Sequence, residues 1–114
     1  MPYRLCSKIW LEDQGKVFGD GPCDLLQRID RLGSLSKAAA EMQMSYHQAW
    51  NLINMLENNL GFALIERRIG GSQGGGSYLT KKGKTLMLRY LEFRNKVNEN
   101  LQRLYDQYFA EMPL

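Results

Sequence analysis

The sequence predicts a mainly α fold with a small β component, on three observations. Leu25, Ile29 and Leu32, then Ala49, Ile53, Leu56 and Leu60, recur at helical spacing on either side of an alanine-rich segment. Residues 4–18 and 63–79 each contain two short extended stretches around a glycine-bearing turn, the pattern of a hairpin. From Lys84 to about Met112 the chain contains neither proline nor glycine and carries a long apolar stripe, so it reads as one long helix.

The 114 residues, 44% of them hydrophobic, suffice for one ordinary core. A single domain over residues 1–114 is expected: a hairpin at 1–19, a central unit at 20–80 and a long helix at 81–114. No apolar run reaches about 18 residues, and the N-terminus shows no leader pattern, so a soluble cytoplasmic protein without a membrane partner is expected. Cys6 and Cys23 lie far from each other and from His47, the one histidine. Buried reduced thiols are therefore expected, with no metal site and no cofactor. No carboxylate pair or nucleophile–base pair stands at usable spacing, and no reaction is expected.

Charge is unevenly placed. The chain carries +3, but the segment from Leu64 to Arg94 holds Arg67, Arg68, Lys81, Lys82, Lys84, Arg89 and Arg94 against Glu66 and Glu92, leaving the remainder net negative. A basic patch confined to one segment suits a polyanionic partner, although a solvated helix face has the same composition.

Residues 4–12 alternate, with Leu5, Ile9 and Leu11 on one side, and predict a strand. Asp13-Gln14-Gly15 supplies the turn and Lys16-Val17-Phe18 the return. Asp20-Gly21-Pro22 ends the hairpin; Pro22 suits the first helical position and Asp24 the first turn, near the positive end of the helix dipole. Gly33 closes this helix. Ser34 or Ser36 then caps a short second helix, whose Ala38, Ala39 and Ala40 allow a close helix crossing.

Gln43-Met44 turns the chain, and Ser45 with Gln48 forms a capping box for a third helix that stops at Gly61. Its outer face carries Tyr46, His47, Trp50, Asn51 and Asn54, a polar and aromatic set concentrated at the helix N-terminus. Two helices joined by so short a turn match a helix-turn-helix, whose second helix enters the major groove; an ordinary helical corner shares the pattern.

The continuation favours the first reading. Residues 63–69 read as a strand, 70–76 as a glycine-rich flexible tip, and Ser77-Tyr78-Leu79 as the returning strand. With Arg67, Arg68, Lys81 and Lys82 flanking the tip, this hairpin suits a wing lying on a phosphate backbone or in the minor groove. A nucleotide-phosphate cradle fails on the letters: Gly83-Lys84-Thr85 would need a glycine at Tyr78, and no dinucleotide glycine pattern is present.

The stretch GSLSKAAAEMQMSYHQAWNLINMLENNLGFALIERR, followed by a hairpin and LTKKGKTL, resembles the winged helix-turn-helix of LysR-type regulators. Through Ser45-Tyr46, Ala49-Trp50, Ile53-Asn54 and the GGSQGGGSYLT wing it is more similar still to the DNA-binding domain of ModE-type regulators, over roughly residues 9–94. The resemblance implies that Ser45, Tyr46, His47, Trp50 and Asn51 face DNA, with Ser36, Arg67 and Arg68 on phosphates. ModE-type proteins hold their metal oxyanion in a separate C-terminal domain. No counterpart is read in these residues, so molybdate responsiveness gains no support and no effector ligand is evident.

Each candidate has a plainer alternative. Tyr46 contacts a base or phosphate, or covers the turn; His47 donates to DNA, or is a surface histidine. Trp50 borders both the DNA face and the side where the first hairpin could rest. Asn51 is the better reader, because an amide pairs bidentately with adenine. Strand alternation sends Arg67 and Arg68 to opposite sides, so one of them, with Lys81, is expected on phosphate.

The last helix, capped by Thr80, would extend about 40 Å. Its stripe of Leu86, Tyr90, Phe93, Val97, Leu101, Leu104 and Tyr108 is close to a heptad. So small a body cannot cover all of it. Phe93, Val97, Leu101, Leu104 and Tyr108 are expected to pair with a second copy, in preference to folding back on the N-terminal hairpin. The sequence thus points to duplex DNA bound by a homodimeric transcriptional regulator. The competing class is a winged-helix protein-interaction module whose basic wing is incidental.

Overall fold

The computed structural model describes residues 3–68 and 76–112. Its elements run β1 (Trp10–Glu12), β2 (Lys16–Gly19), α1 (Asp20–Leu32), α2 (Leu35–Glu41), α3 (Tyr46–Leu60), β3 (Ile65–Arg68), β4 (Gly76–Leu79) and α4 (Lys81–Phe109). The architecture is that of a winged helix, with two separate antiparallel hairpins, β1–β2 and β3–β4.

Helices α1, α2 and α3 enclose the core. Leu25, Leu26 and Ile29 from α1, Leu35, Ala38 and Ala39 from α2, and Ala49, Ile53 and Leu56 from α3 are buried together with Phe18, Leu64 and Met87. These are the stripes expected from spacing, except that Leu32 and Leu60 lie at the edge and Ala40 is exposed. Both glycine stops are observed: Gly33 and Gly61 take φ of 67° and 84°, the left-handed conformation that closes a helix at little cost only for glycine. Ser34, not Ser36, caps α2 by accepting from the Lys37 amide at 3.1 Å.

Several boundaries differ from the expectation. The first strand shrinks to Trp10–Glu12, because β2 is only four residues long and pairs Gly19 with Trp10 before the chain turns into α1. Residues 3–9 therefore have no ladder partner, and Leu5 and Leu11 are exposed. Helix α1 begins at Asp20, which puts Pro22 in the first turn rather than at its start. Helix α4 begins at Lys81 as expected, Thr80 capping it by accepting from the Gly83 amide at 2.9 Å, whereas β3 begins at Ile65 rather than at residue 63 and β4 at Gly76 rather than at Ser77. The predicted Ile69 strand residue and residues 70–75 of the wing tip lie outside the described residues.

Asp20 ties the N-terminal segment to α4. Its carboxylate accepts from the Ile9 amide at 3.1 Å, the Tyr90 hydroxyl at 2.6 Å and Arg94 Nε at 3.0 Å. Burial pushes this carboxyl up, but the bonds from Tyr90, Ile9 and Arg94 outweigh burial and hold it below the usual carboxylate value. Arg94 also donates to Ser7, and the Tyr105 hydroxyl donates to the Tyr3 carbonyl at 2.9 Å, so residues 3–9 lie along α4. The thiols divide: Cys23 is buried, its pKa pushed up to about 11 first by burial and then by Asp20 and Asp24, whereas Cys6 is exposed, contrary to the expectation.

The far half of α4 extends beyond the core. The Cα radius of gyration is 17.4 Å, against about 13 Å for a compact chain of this length. Among the described residues no helix is long and apolar enough to cross a membrane.

Two predictions follow from this packing. A Cβ on Gly83 would stand 2.3 Å from the Leu64 carbonyl oxygen, whereas one on Gly21 meets nothing within 4 Å. Gly83→Ala is expected to lower unfolding free energy by about 1–3 kcal/mol in urea titrations, with Gly21→Ala neutral or stabilising. Asp20 has a folded pKa below its unfolded one, so its contribution is present above about pH 4 and is lost as pH falls through the folded value. Asp20→Asn should cost about 1–2 kcal/mol at neutral pH and flatten the acid limb of stability against pH.

Candidate nucleic-acid interface

Local chemistry fixes the start of α3. The Ser45 hydroxyl accepts from the Gln48 amide at 3.0 Å while Gln48 Oε1 accepts from the Ser45 amide at 2.9 Å, completing the capping box. Gln43, at φ 58°, turns the chain between α2 and α3. Ala49, Ile53 and Leu56 bury one face, which leaves Ser45, Tyr46, His47 and Asn51 exposed at the other. His47 and Asn51 are four residues apart, so they share a stripe. Ser36 is exposed on α2.

The wing meets α3 at this same end. In β3, Ile65 and Arg67 share one face and Glu66 and Arg68 the other. Arg67 lies over two rings of α3, its guanidinium carbon 4.8 Å from the Trp50 ring centre and 5.5 Å from that of Tyr46. Trp50 is half-buried against the core edge and lies under Arg67 of the wing. Arg68 lies 4.6 Å over Tyr78, one strand across, and 4.0 Å from Glu66. The arginines point to opposite faces, as strand alternation required. The part of Tyr78 was missed, although the register that pairs Glu66 with Tyr78 makes an aromatic at that position reachable from Arg68.

Lys81 and Lys82 occupy different ground. Ile65 pairs with Leu79 at the base of the hairpin and Arg68 with Gly76 three residues farther on, roughly 10 Å away. The two lysines follow the base, not the tip. They line, with Phe62, Thr85, Leu86 and Arg89, a cleft of about 460 Å³ at the C-terminal end of α3, about 22 Å along the helix from Tyr46. Lys82 Nζ sits 5.6 Å over the Phe62 ring. Sequence adjacency had grouped these lysines with the arginines; the hairpin's length separates them.

The bacterial regulatory helix-turn-helix protein model of the lysR family matches residues 23–84, from the first turn of α1 to the first turn of α4. The chain belongs to that family. Among curated relatives it is 34% identical over 105 residues to the molybdenum transport protein ModE of Azotobacter vinelandii, covering 91% of this chain and 39% of that one. It is 38% identical over 81 residues to the DNA-binding transcriptional dual regulator ModE of Escherichia coli K12, covering 70% and 31%. With the molybdenum-pterin-binding protein MopB of Rhodobacter capsulatus the identity is 36% over 87 residues, 76% of this chain and 32% of that one. The chain thus spans about a third of the length of these relatives. The matched residues include α3, the Arg67 stack and the cap of α4.

Proposed function

We propose that this chain binds duplex DNA sequence-specifically and regulates transcription as a homodimer, with α3 in the major groove and the wing beside it on the backbone or minor groove. The observation that carries this reading is the convergence, at one end of α3, of the exposed Tyr46, His47 and Asn51 with Arg67 from the wing. Two helix turns present hydrogen-bonding edges there and a basic hairpin borders them, which is the division of labour between base readout and phosphate anchoring. The lysR-family match over residues 23–84 and a relative named as a DNA-binding transcriptional regulator support the same reading and favour regulation over catalysis.

Within this reading Asn51 reads a base edge, with Tyr46 and His47 beside it. Ser36, Ser45 and Arg68 meet phosphates, and Trp50 supports the wing from behind; Lys81, at the other end of α3, stands apart from this surface. Binding of duplexes selected from a random pool should weaken steeply with salt, log K falling by about 0.9 per log salt for each phosphate neutralised. Absence of any salt-sensitive duplex binding would overturn the reading and leave the protein-interaction module. Asn51→Ala should relax preference at one base position by about 1–3 kcal/mol, while Arg68→Ala weakens all duplexes alike; unchanged preference in Asn51→Ala would remove it as the reader.

The dimer rests on α4. Residues 3–9 cover one side of the helix, where Val97 and Leu101 are half-buried. They leave Phe93, Leu104 and Tyr108 exposed by 46%, 51% and 67%, the last two sharing a cleft with the exposed Leu5 and Phe109. Apolar side chains in a row on a projecting helix suit a two-fold partner, which would set two copies of α3 on a palindromic site. A dimeric mass in sedimentation at micromolar concentration is expected, and Leu104→Glu with Tyr108→Glu should convert it to monomer; a monomeric parent protein would reject the dimer.

A further inference from the structure

The two strands of the wing are held to the body by different means. On the β4 side the Ser77 amide donates to the Gly33 carbonyl at 3.1 Å, a backbone tie to the end of α1, and Gly76 packs so closely there that a Cβ would stand 2.7 Å from the same oxygen. On the β3 side the base is fixed at Leu64 and Ile65, whose amides donate to Glu57 at 2.7 and 3.3 Å. Past Ile65 the described contacts from β3 to α3 come from Arg67, over Trp50 and Tyr46. Among the described residues Arg67 has no carboxylate within ion-pair distance, so its place is set by the rings. A flat guanidinium stacks on aromatic faces in a way that an ammonium on a flexible stem does not.

We infer that Arg67 is a positioning residue: its stack on Trp50 and Tyr46 clamps the wing to α3, so that base readout by Asn51 depends on where the wing lies. The inference rests on the DNA-binding reading for its consequence and on the stack alone for its structural part. Trp50, half-buried, is the fixed platform, and Tyr46, one turn earlier, extends it toward the exposed end of the helix. Asn51 follows Trp50 directly in the chain. Any swing of β3 away from α3 therefore moves the wing relative to the residue that reads the base, while the net charge facing DNA stays the same. This separates Arg67 from Arg68, whose stack on Tyr78 lies within the wing itself and ties it to nothing else.

Arg67→Lys tests the clamp because it keeps the charge and removes the planar stack. Two measurements are needed on the full chain: amide hydrogen exchange across β3 and β4 in the free protein, and binding to the selected duplex and a scrambled duplex over a salt series. The clamp predicts faster exchange of the wing amides and a preference for the selected duplex lowered about fivefold, with the salt slope unchanged. Arg67→Ala should add a slope reduced by about 1. Wild-type exchange and preference in Arg67→Lys, with only the slope altered in Arg67→Ala, would overturn the clamp and make Arg67 a simple phosphate contact. Faster exchange with unaltered preference would likewise overturn the coupling to readout. Should no duplex bind in a salt-sensitive way, the DNA-binding reading falls, while the exchange result still upholds or rejects the clamp itself.

Discussion

The backbone of Leu64 is the point at which the recognition helix, the wing and the long helix are held together. Its amide donates to Glu57 of α3 at 2.7 Å; its carbonyl accepts from the Thr80 amide at 2.9 Å and lies against the Cα of Gly83. The Thr80 hydroxyl, which caps α4, also donates to the Ala63 carbonyl at 2.6 Å. Leu64 itself is fully buried. One buried residue thus sets the root of the hairpin, the start of α4 and their distance from α3. Without glycine at position 83, α4 could not come close enough for Met87 and Tyr90 to enter the core.

From that root the described strands of the wing run toward the N-terminal end of α3, and the placement of the basic side chains follows from their length. Arg67 and Arg68 reach the level of Tyr46 and Trp50. Lys81 and Lys82 remain near Phe62 at the other end of the helix. The basic segment is one patch in the chain and two in space. Surface ion pairs elsewhere, such as Lys84 with Asp30 and Arg28 with Asp24 and Glu41, lie on the body and contribute little to stability, being partly or largely solvated.

Residues 3–9 show how unpaired backbone finds partners when a ladder ends. Ile9 donates to Asp20 instead of to a strand, and the carbonyls of Ser7 and Tyr3 accept from Arg94 and Tyr105 of α4. The segment lies along one flank of the projecting helix and leaves Phe93, Leu104 and Tyr108 of the apolar stripe exposed beside it. It also explains why the stripe carries a tyrosine at position 90, with Arg94 one turn on: both donate to the partly buried Asp20 carboxylate.

Helix faces and stops, the Ser45–Gln48 capping box, the Thr80 cap and the glycines that end α1 and α3 were legible in the letters, because they depend on groups three or four residues apart. So was the winged helix-turn-helix itself, since its motifs are local and occur in a fixed order. The stack of Arg67 on Tyr46 and Trp50, the separation of Lys81 from Arg68, and the turning of residues 3–9 onto α4 were decided only by tertiary structure. Each joins groups from different elements, and the distances between those elements are set by how closely Leu64 and Gly83 pack, which no periodicity in the chain encodes.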